Sequence, residues 1–581
     1  MIRPRPSWWN RAACASLVAS FLACGTPAPP ASATKAPPAQ PPPAASPTPS
    51  AELVAALGAW LARPDPYFDP SARAQKVLSE IYPATGATPL WVDGSLRPTK
   101  SAGDALAVLN DAAAEGLDPA DYRAEALSTL GKKLEAGSPP ADRDAAAFDA
   151  SLSLSMMRYL RHFHRGRVDP RDIGFLISLP PDEHDYAAML MEAARKDRVK
   201  ETILSITPPL VQYRALRSML PRYRALALIE GTAFPRLKDP PRKSIKPGDT
   251  AQGLNIVRTR LIALGDLRAA APPLADPPVY EGELVEGVKH FQARHGYEND
   301  GVLGKATWTA LNVPLSWRVR QIELAMERMR WLPHLGDRAF VAVNVAMFRL
   351  WGWDKVPESG APDFEMGVIV GKALNTKTPV FMGEMKYVTF LPYWNVPESI
   401  LQKEIIPILR RDLGYLGRQN MEMVDGQGDD AKPMEATEEN VNRLARGKLR
   451  LRQRPGAKNS LGQMMFMFPN DDNVYLHSTP APDLFGRARR DFSHGCIRVE
   501  NPVALAVWAL RDQPEWTREK ILAAMEGKPS FKVLLTRPIR VVIYYVTATV
   551  IPAENAVHFA DDIYGHDLPL DQALRARKKA S

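Results

Sequence analysis

Residues 51–245 carry apolar side chains at helical spacing, for example Ala105-Leu106-Ala107-Val108-Leu109 and residues 152–159, with Pro and Gly clusters between the runs. This pattern predicts a helical scaffold domain. Residues 246–312 form a more compact unit. It opens with Leu254-Asn255-Ile256-Val257-Arg258-Thr259-Arg260-Leu261-Ile262-Ala263-Leu264-Gly265, a short amphipathic helix closed by glycine. Phe291, Leu303 and Leu311 are its expected core. Residues 313–337, including Glu327-Arg328-Met329-Arg330-Trp331-Leu332-Pro333, read as a connecting helix. From 338 the period changes to two. Phe340-Val341-Ala342-Val343-Asn344-Val345, Phe348-Arg349-Leu350-Trp351, Met366-Gly367-Val368-Ile369-Val370-Gly371, Lys386-Tyr387-Val388-Thr389-Phe390 and Arg540-Val541-Val542-Ile543-Tyr544-Tyr545-Val546 alternate like strands. A charged, helix-prone stretch at about 401–452 interrupts them and reads as a cap inserted over the sheet. The expected fold is multidomain α+β, with a mainly β domain over 338–570 and a tail at 571–581.

Composition adds compartment. The 581 residues suit roughly four units at ~150 residues each. The net charge of +9 fits an anionic surface, but no dense Lys/Arg block marks a nucleic-acid reader. Arg3, Arg5 and Arg11 precede an apolar run at 12–23, too short to span a bilayer as a mature helix. Residues 1–24 therefore read as a signal peptide. Phe21-Leu22-Ala23-Cys24-Gly25 resembles the lipobox of bacterial lipoproteins, which implies lipidation at Cys24 and an outer-membrane lipid anchor. The Pro/Ala-rich residues 25–50 cannot bury a core and read as a tether. Of three cysteines, Cys14 lies in the signal and Cys24 at its end, so Cys496 is the one thiol left to the folded domains.

The chemistry concentrates at 466–500. Residues 473–479 read as a strand delivering His477, and Cys496 follows nineteen positions later in Ser493-His494-Gly495-Cys496-Ile497-Arg498. A thiol attacks as thiolate, and a nearby imidazole plus local positive charge favours that form. Gly495 permits tight backbone geometry that can aim N–H groups at an oxyanion. On spacing alone, a core cysteine with an unrelated surface histidine remains an equal reading. Arg161-His162-Phe163-His164-Arg165 reads as a helix end with solvated charges, poorly spaced for metal. No HExxH pattern occurs and one cysteine is too few for structural zinc, so neither metal nor cofactor is expected.

His477 followed by Ser493-His494-Gly495-Cys496-Ile497-Arg498-Val499 resembles the signature of YkuD-type L,D-transpeptidases. The resemblance extends to Trp394-Asn395-Val396-Pro397, Arg454-Pro455-Gly456, Phe468-Pro469-Asn470 and Asp562-Ile563-Tyr564-Gly565-His566-Asp567. Residues 246–312, with Val288-Lys289-His290-Phe291-Gln292 and Asp300-Gly301-Val302-Leu303-Gly304, resemble a three-helix peptidoglycan-binding domain. The whole layout resembles the large YcbB-like members. The resemblance implies that Cys496 attacks a tetrapeptide stem, releases D-Ala and passes the thioester to a neighbouring amine, giving a 3-3 cross-link. It implies His477 as general base and acid, His494 beside the thiol in a charge-tuning role, and Tyr475 as a hold on oxyanion or substrate. Gly495 and Cys496 would offer oxyanion N–H groups. Arg498 would hold a loop carbonyl or a substrate carboxylate, and Ser493 and Trp394 would line the site, with orienting or packing roles as the alternative. Peptidoglycan stems and glycan are the implied partners, carbapenems the implied covalent inhibitors, and the periplasm of a Gram-negative bacterium the implied location. Carboxypeptidase or exchange chemistry, protein anchoring by the same site, and a non-catalytic wall-binding lipoprotein stay open.

Overall fold

The computed structural model describes residues 50–580, except 63–71, 83–87, 137–140, 178, 180, 209, 239–242, 333–337, 358, 374–375, 429, 528, 552–553 and 555. The signal peptide, Cys24 and nearly all of the tether lie outside the described residues.

The long helix Asp142–Arg165 is the axis of the N-terminal helical part. Helices Ala51–Ala62, Lys100–Asn110, Ala124–Ala136 and Tyr186–Arg195 pack around it. Its buried face, including Ala145, Phe148, Leu152, Met156, Tyr159 and Phe163, recurs every three or four residues, as an amphipathic helix requires. The peptidoglycan-binding-like unit has the expected helices, Leu254–Leu264, Glu283–Arg294 and Lys305–Leu311. Gly265, at φ 85°, ends the first, and Leu261, Phe291, Leu303 and Leu311 are buried together.

Fifteen strands follow: β1 Phe340–Asn344, β2 Arg349–Trp353, β3 Phe364–Gly371, β4 Met382–Phe390, β5 Trp394–Asn395, β6 Met421–Asp425, β7 Lys432–Met434, β8 Arg450–Gln453, β9 Met464–Met467, β10 Leu476–His477, β11 Asp491–Ser493, β12 Ile497–Val499, β13 Phe531–Tyr544, β14 Ala548–Ile551 and β15 Ala556–Phe559. The main sheet runs β11-β3-β12-β10-β9-β4-β13-β1-β2, and β2 also pairs with β3, closing the sheet on itself. Val341, Val368, Val388, Phe466, Leu476, Ile497 and Val541 fill one cluster within it. The 401–452 insertion has the helices expected of it, and its strands form with β5, just before it, a four-stranded antiparallel sheet, β5-β8-β6-β7. Alternation there is short and interrupted by charges, which hid these strands in the sequence.

The helix Leu315–Met329 joins these parts. Ile322, Ala325 and Met326 enter the scaffold core, as do Val550, Val557 and Phe559 of the β14–β15 hairpin. Just beyond, Arg328 donates to Asp567 at 2.5 Å and to the His566 carbonyl at 2.7 Å, gripping the C-terminal motif. Glu327 is fully buried. It accepts from Arg167 Nε and Arg330 Nη1, both at 3.2 Å, and from the Arg167 and Val168 backbone N–H groups. Burial pushes its carboxyl up, but the two guanidinium groups outweigh burial and hold it below the usual range. Arg330 continues to the Glu115 carbonyl and the Tyr213 hydroxyl in the scaffold.

Glu327→Gln keeps the volume but leaves two buried cations without their counter-charge. It is expected to lower stability by about 3–5 kcal/mol, measured as a fall in the urea midpoint; an unchanged midpoint contradicts the role given to this carboxylate.

Candidate active site

Strands β10 and β12 run parallel, with Leu476 opposite Ile497 and His477 opposite Arg498. The pairing is held by apolar neighbours: Leu476 and Ile497 are fully buried within the main-sheet cluster, and a slip of one residue would break that packing. Cys496 is the residue immediately before β12. Tyr475 and His477 share a face, their rings meeting edge-on with centroids 5.8 Å apart.

The loop before Cys496 is a closed set of hydrogen bonds. Ser493 Oγ donates to the Cys496 carbonyl at 2.5 Å and accepts from the Gly495 N–H at 3.2 Å. The Ser493 carbonyl accepts from Lys372 N–H and Thr376 Oγ1. Thr378 Oγ1 donates to the Gly495 carbonyl at 2.7 Å and accepts from Gly371 N–H at 2.9 Å. The Tyr564 hydroxyl, from the C-terminal motif, accepts from Thr378 N–H at 3.1 Å and donates to the Gly371 carbonyl at 2.6 Å. Gly495 holds φ +120°, a conformation a side chain rarely adopts.

This corrects one expectation. The Gly495 N–H is committed to Ser493, so it is not a free oxyanion donor; the glycine is needed for its backbone angle. Ser478, next to His477, orients its neighbours. Its hydroxyl accepts from Gln463 and Met464 N–H and donates to the Leu461 carbonyl, locking β9 to β10.

His477 Nδ1 lies 2.6 Å from the Ser478 carbonyl. That contact assigns the proton to Nδ1 and leaves Nε2 as the acceptor. Burial, then the Arg498 charge, lowers the imidazole pKa to about 4, against the Ser478 and Leu461 carbonyls. The thiol of Cys496 donates to the Asn473 carbonyl at 3.6 Å. Burial pushes the thiol up, only partly offset by the N–H and hydroxyl of Tyr475 and by Arg498. The Tyr475 hydroxyl is itself raised, first by burial and then by the thiol. No hydrogen bond joins the thiol to His477 among the described residues. The resting pair is thus a neutral thiol and a neutral imidazole. Of the arginines that precede the motif, Arg489 pairs with Asp491 and Arg490 donates to the Val368, Phe348 and Arg487 carbonyls.

Arg498 is the one basic group of the motif without a structural duty. Its Nε is buried with no hydrogen-bond partner, and burial lowers its pKa. His494 turns the other way. Its Nε2 lies 2.9 Å from Glu404 of the cap, so the nucleophile loop and the cap touch through this pair. Trp394, expected to line the site, is half-buried in β5 and packs against the cap's own apolar cluster. Glu404 and Thr378 had no sequence signal, since one lies in an irregular insertion and the other in a plain turn.

The closed sheet thus carries the cysteine loop and the buried histidine on adjacent strands. Comparison with known families shows what this domain is similar to. Residues 338–521 match the L,D-transpeptidase catalytic domain, and the chain carries that domain. Residues 76–220 match a "Scaffold domain", and residues 250–311 a "Putative peptidoglycan binding domain". A Haemophilus influenzae protein named "Putative L,D-transpeptidase" is 30% identical over 254 residues, 44% of this chain and 49% of that protein. The chain therefore spans about half the length of the curated relative it matches.

A neutral thiol with a raised pKa gains thiolate with each pH step. Iodoacetamide labelling of Cys496 is expected to accelerate about tenfold per pH unit from 7 upward, below the thiol pKa. A plateau already present at pH 6 would mean a preformed thiolate–imidazolium pair and contradict this electrostatic reading.

Proposed function

We propose that this chain is a peptidoglycan L,D-transpeptidase that forms 3-3 cross-links through a thioester on Cys496. The observation that carries the reading is the register of β10 with β12, which brings His477 beside the nucleophile strand with its Nε2 unprotonated. Substrate binding excludes water, and the thiol proton passes to His477 Nε2 as Sγ bonds to the carbonyl carbon of the third stem residue. The C–N bond to D-Ala then breaks, and the imidazolium returns its proton to the departing amine. An amine from a neighbouring stem attacks the thioester, His477 removes its proton, and the C–S bond breaks to release the cross-linked product and the thiol.

The Cys496 N–H and the Tyr475 hydroxyl are the groups assigned to the oxyanion, in place of the Gly495 N–H. Arg498 is assigned to the carboxylate of the departing D-Ala; its buried Nε, which has no hydrogen-bond partner, supports this. The cell envelope is the location this activity requires, with Cys24 as the lipid-carrying residue and the peptidoglycan-binding-like domain as a contact to the wall. Carbapenems, which mimic the scissile amide, would acylate the same thiol.

Purified protein incubated with tetrapeptide muropeptides should yield cross-linked dimers, and Cys496→Ala should yield none. His477→Ala should slow acylation by about 10²–10⁴-fold. Arg498→Gln should raise KM for the tetrapeptide donor by roughly 10–100-fold without a like effect on the acceptor amine. Wild-type protein giving neither dimers nor a thioester adduct sinks the proposal. Products carrying only water at the acyl position would assign it instead as a carboxypeptidase.

A further inference from the structure

The described residues hold one cluster of metal-ligand type outside the catalytic domain. His164, Asp182 and His184 bring one donor atom each to within 4.8 Å of the other two. They come from separate places. His164 is in the last turn of the helix Asp142–Arg165. Asp182 and His184 lie in the segment leading into the helix Tyr186–Arg195. In the sequence, His164 belongs to a basic run with no ligand spacing, because its partners are supplied by a different segment.

Two features distinguish the cluster from a chance meeting of surface side chains. First, His164 Nδ1 lies 3.2 Å from the carbonyl of Ile206, at the end of the helix Val199–Ser205. Metal-bound histidines commonly direct their second nitrogen to such a carbonyl, which fixes the ring and leaves the other nitrogen as donor. Second, Asp182 Oδ1 and His184 Nδ1 are 3.3 Å apart. Bonds of 2.0–2.2 Å in tetrahedral geometry place neighbouring donors about 3.3–3.5 Å apart. The Asp182 carboxylate also accepts from the His184 backbone N–H at 3.2 Å, and this turn presents both side chains on one side. The two imidazole rings meet at 61° with centroids 4.4 Å apart, and Tyr186 stacks on His184 at 5.9 Å.

From this geometry we propose that His164, Asp182 and His184 form a binding site for a divalent transition metal, of which zinc is the type. Two imidazoles and one carboxylate suit zinc, nickel or copper, while calcium and magnesium prefer all-oxygen sets. Arg165 lies next to His164 in the chain and its charge opposes any cation, so binding here rests on direct bonds to the two imidazoles and the carboxylate. The metal's task would be structural. It would staple the end of the scaffold's central helix to the entry of the helix Tyr186–Arg195, and so hold closed the long connection between them.

The test uses the full chain carrying Cys496→Ser, so that the catalytic thiol contributes no binding. Zinc sulfate is titrated against a chromophoric chelator, and cobalt(II) is followed by visible absorption. The expected result is one zinc per chain, a tetrahedral cobalt spectrum, and a thermal midpoint raised by zinc. His184→Ala and Asp182→Asn, both exposed positions, should each weaken binding by at least about tenfold and remove the thermal shift. Their far-UV circular dichroism and metal-free midpoints should match the parent. Absence of stoichiometric binding overturns the proposal, as does binding of unchanged affinity in both variants, since the ion would then be held elsewhere.

Discussion

The catalytic constellation depends on one short piece of parallel pairing, Leu476–His477 against Ile497–Arg498. Four residues are too few to hold a register by their own hydrogen bonds. Leu476 and Ile497 hold it, because both are sealed in the core and a one-residue slip would break their packing there. That constraint puts His477 and Arg498 side by side on the opposite face, next to the residue that precedes the strand. The nucleophile is then set by the loop Ser493–Cys496, whose carbonyls and N–H groups are bonded from Ser493, Thr376, Thr378 and Lys372.

The loop in turn leans on the C-terminal motif. Tyr564 bonds both Thr378 and Gly371, and Asp567 of the same motif is held by Arg328 from the joining helix. Through Glu327 and Arg330 that helix is also bonded to the scaffold. A continuous path of packed and hydrogen-bonded groups thus runs from the scaffold to the nucleophile loop. The scaffold contributes to the site by holding this frame rather than by supplying reacting groups.

The electrostatics of the site favour a resting neutral pair. Burial acts on both partners in the direction of the uncharged form, and it is the largest influence on each. Burial thus keeps the Cys496 thiol in its protonated form at neutral pH. For a lone thiol among the described residues this also restrains oxidation, which follows thiolate character.

The sequence by itself determined the order of the parts and singled out candidate reacting residues. The shift from helical to alternating periodicity near 338 located the β domain, and the Ser493–Arg498 motif with His477 located the site, because strand period and motif spacing are local properties of the chain. Tertiary structure decided the rest. Gly495 lost its oxyanion role because its N–H meets Ser493 only in the folded loop. Arg489 and Arg490, adjacent in the sequence, take different partners, Asp491 for one and backbone carbonyls for the other. Trp394 went to the cap cluster, and the cap gained a sheet that its charged, broken pattern did not announce. Thr378 and Glu404 reach the loop at Ser493–Cys496 from 117 and 90 residues away, and Tyr564 braces Thr378 from 186 residues away, distances over which no local pattern carries information and only packing brings groups together.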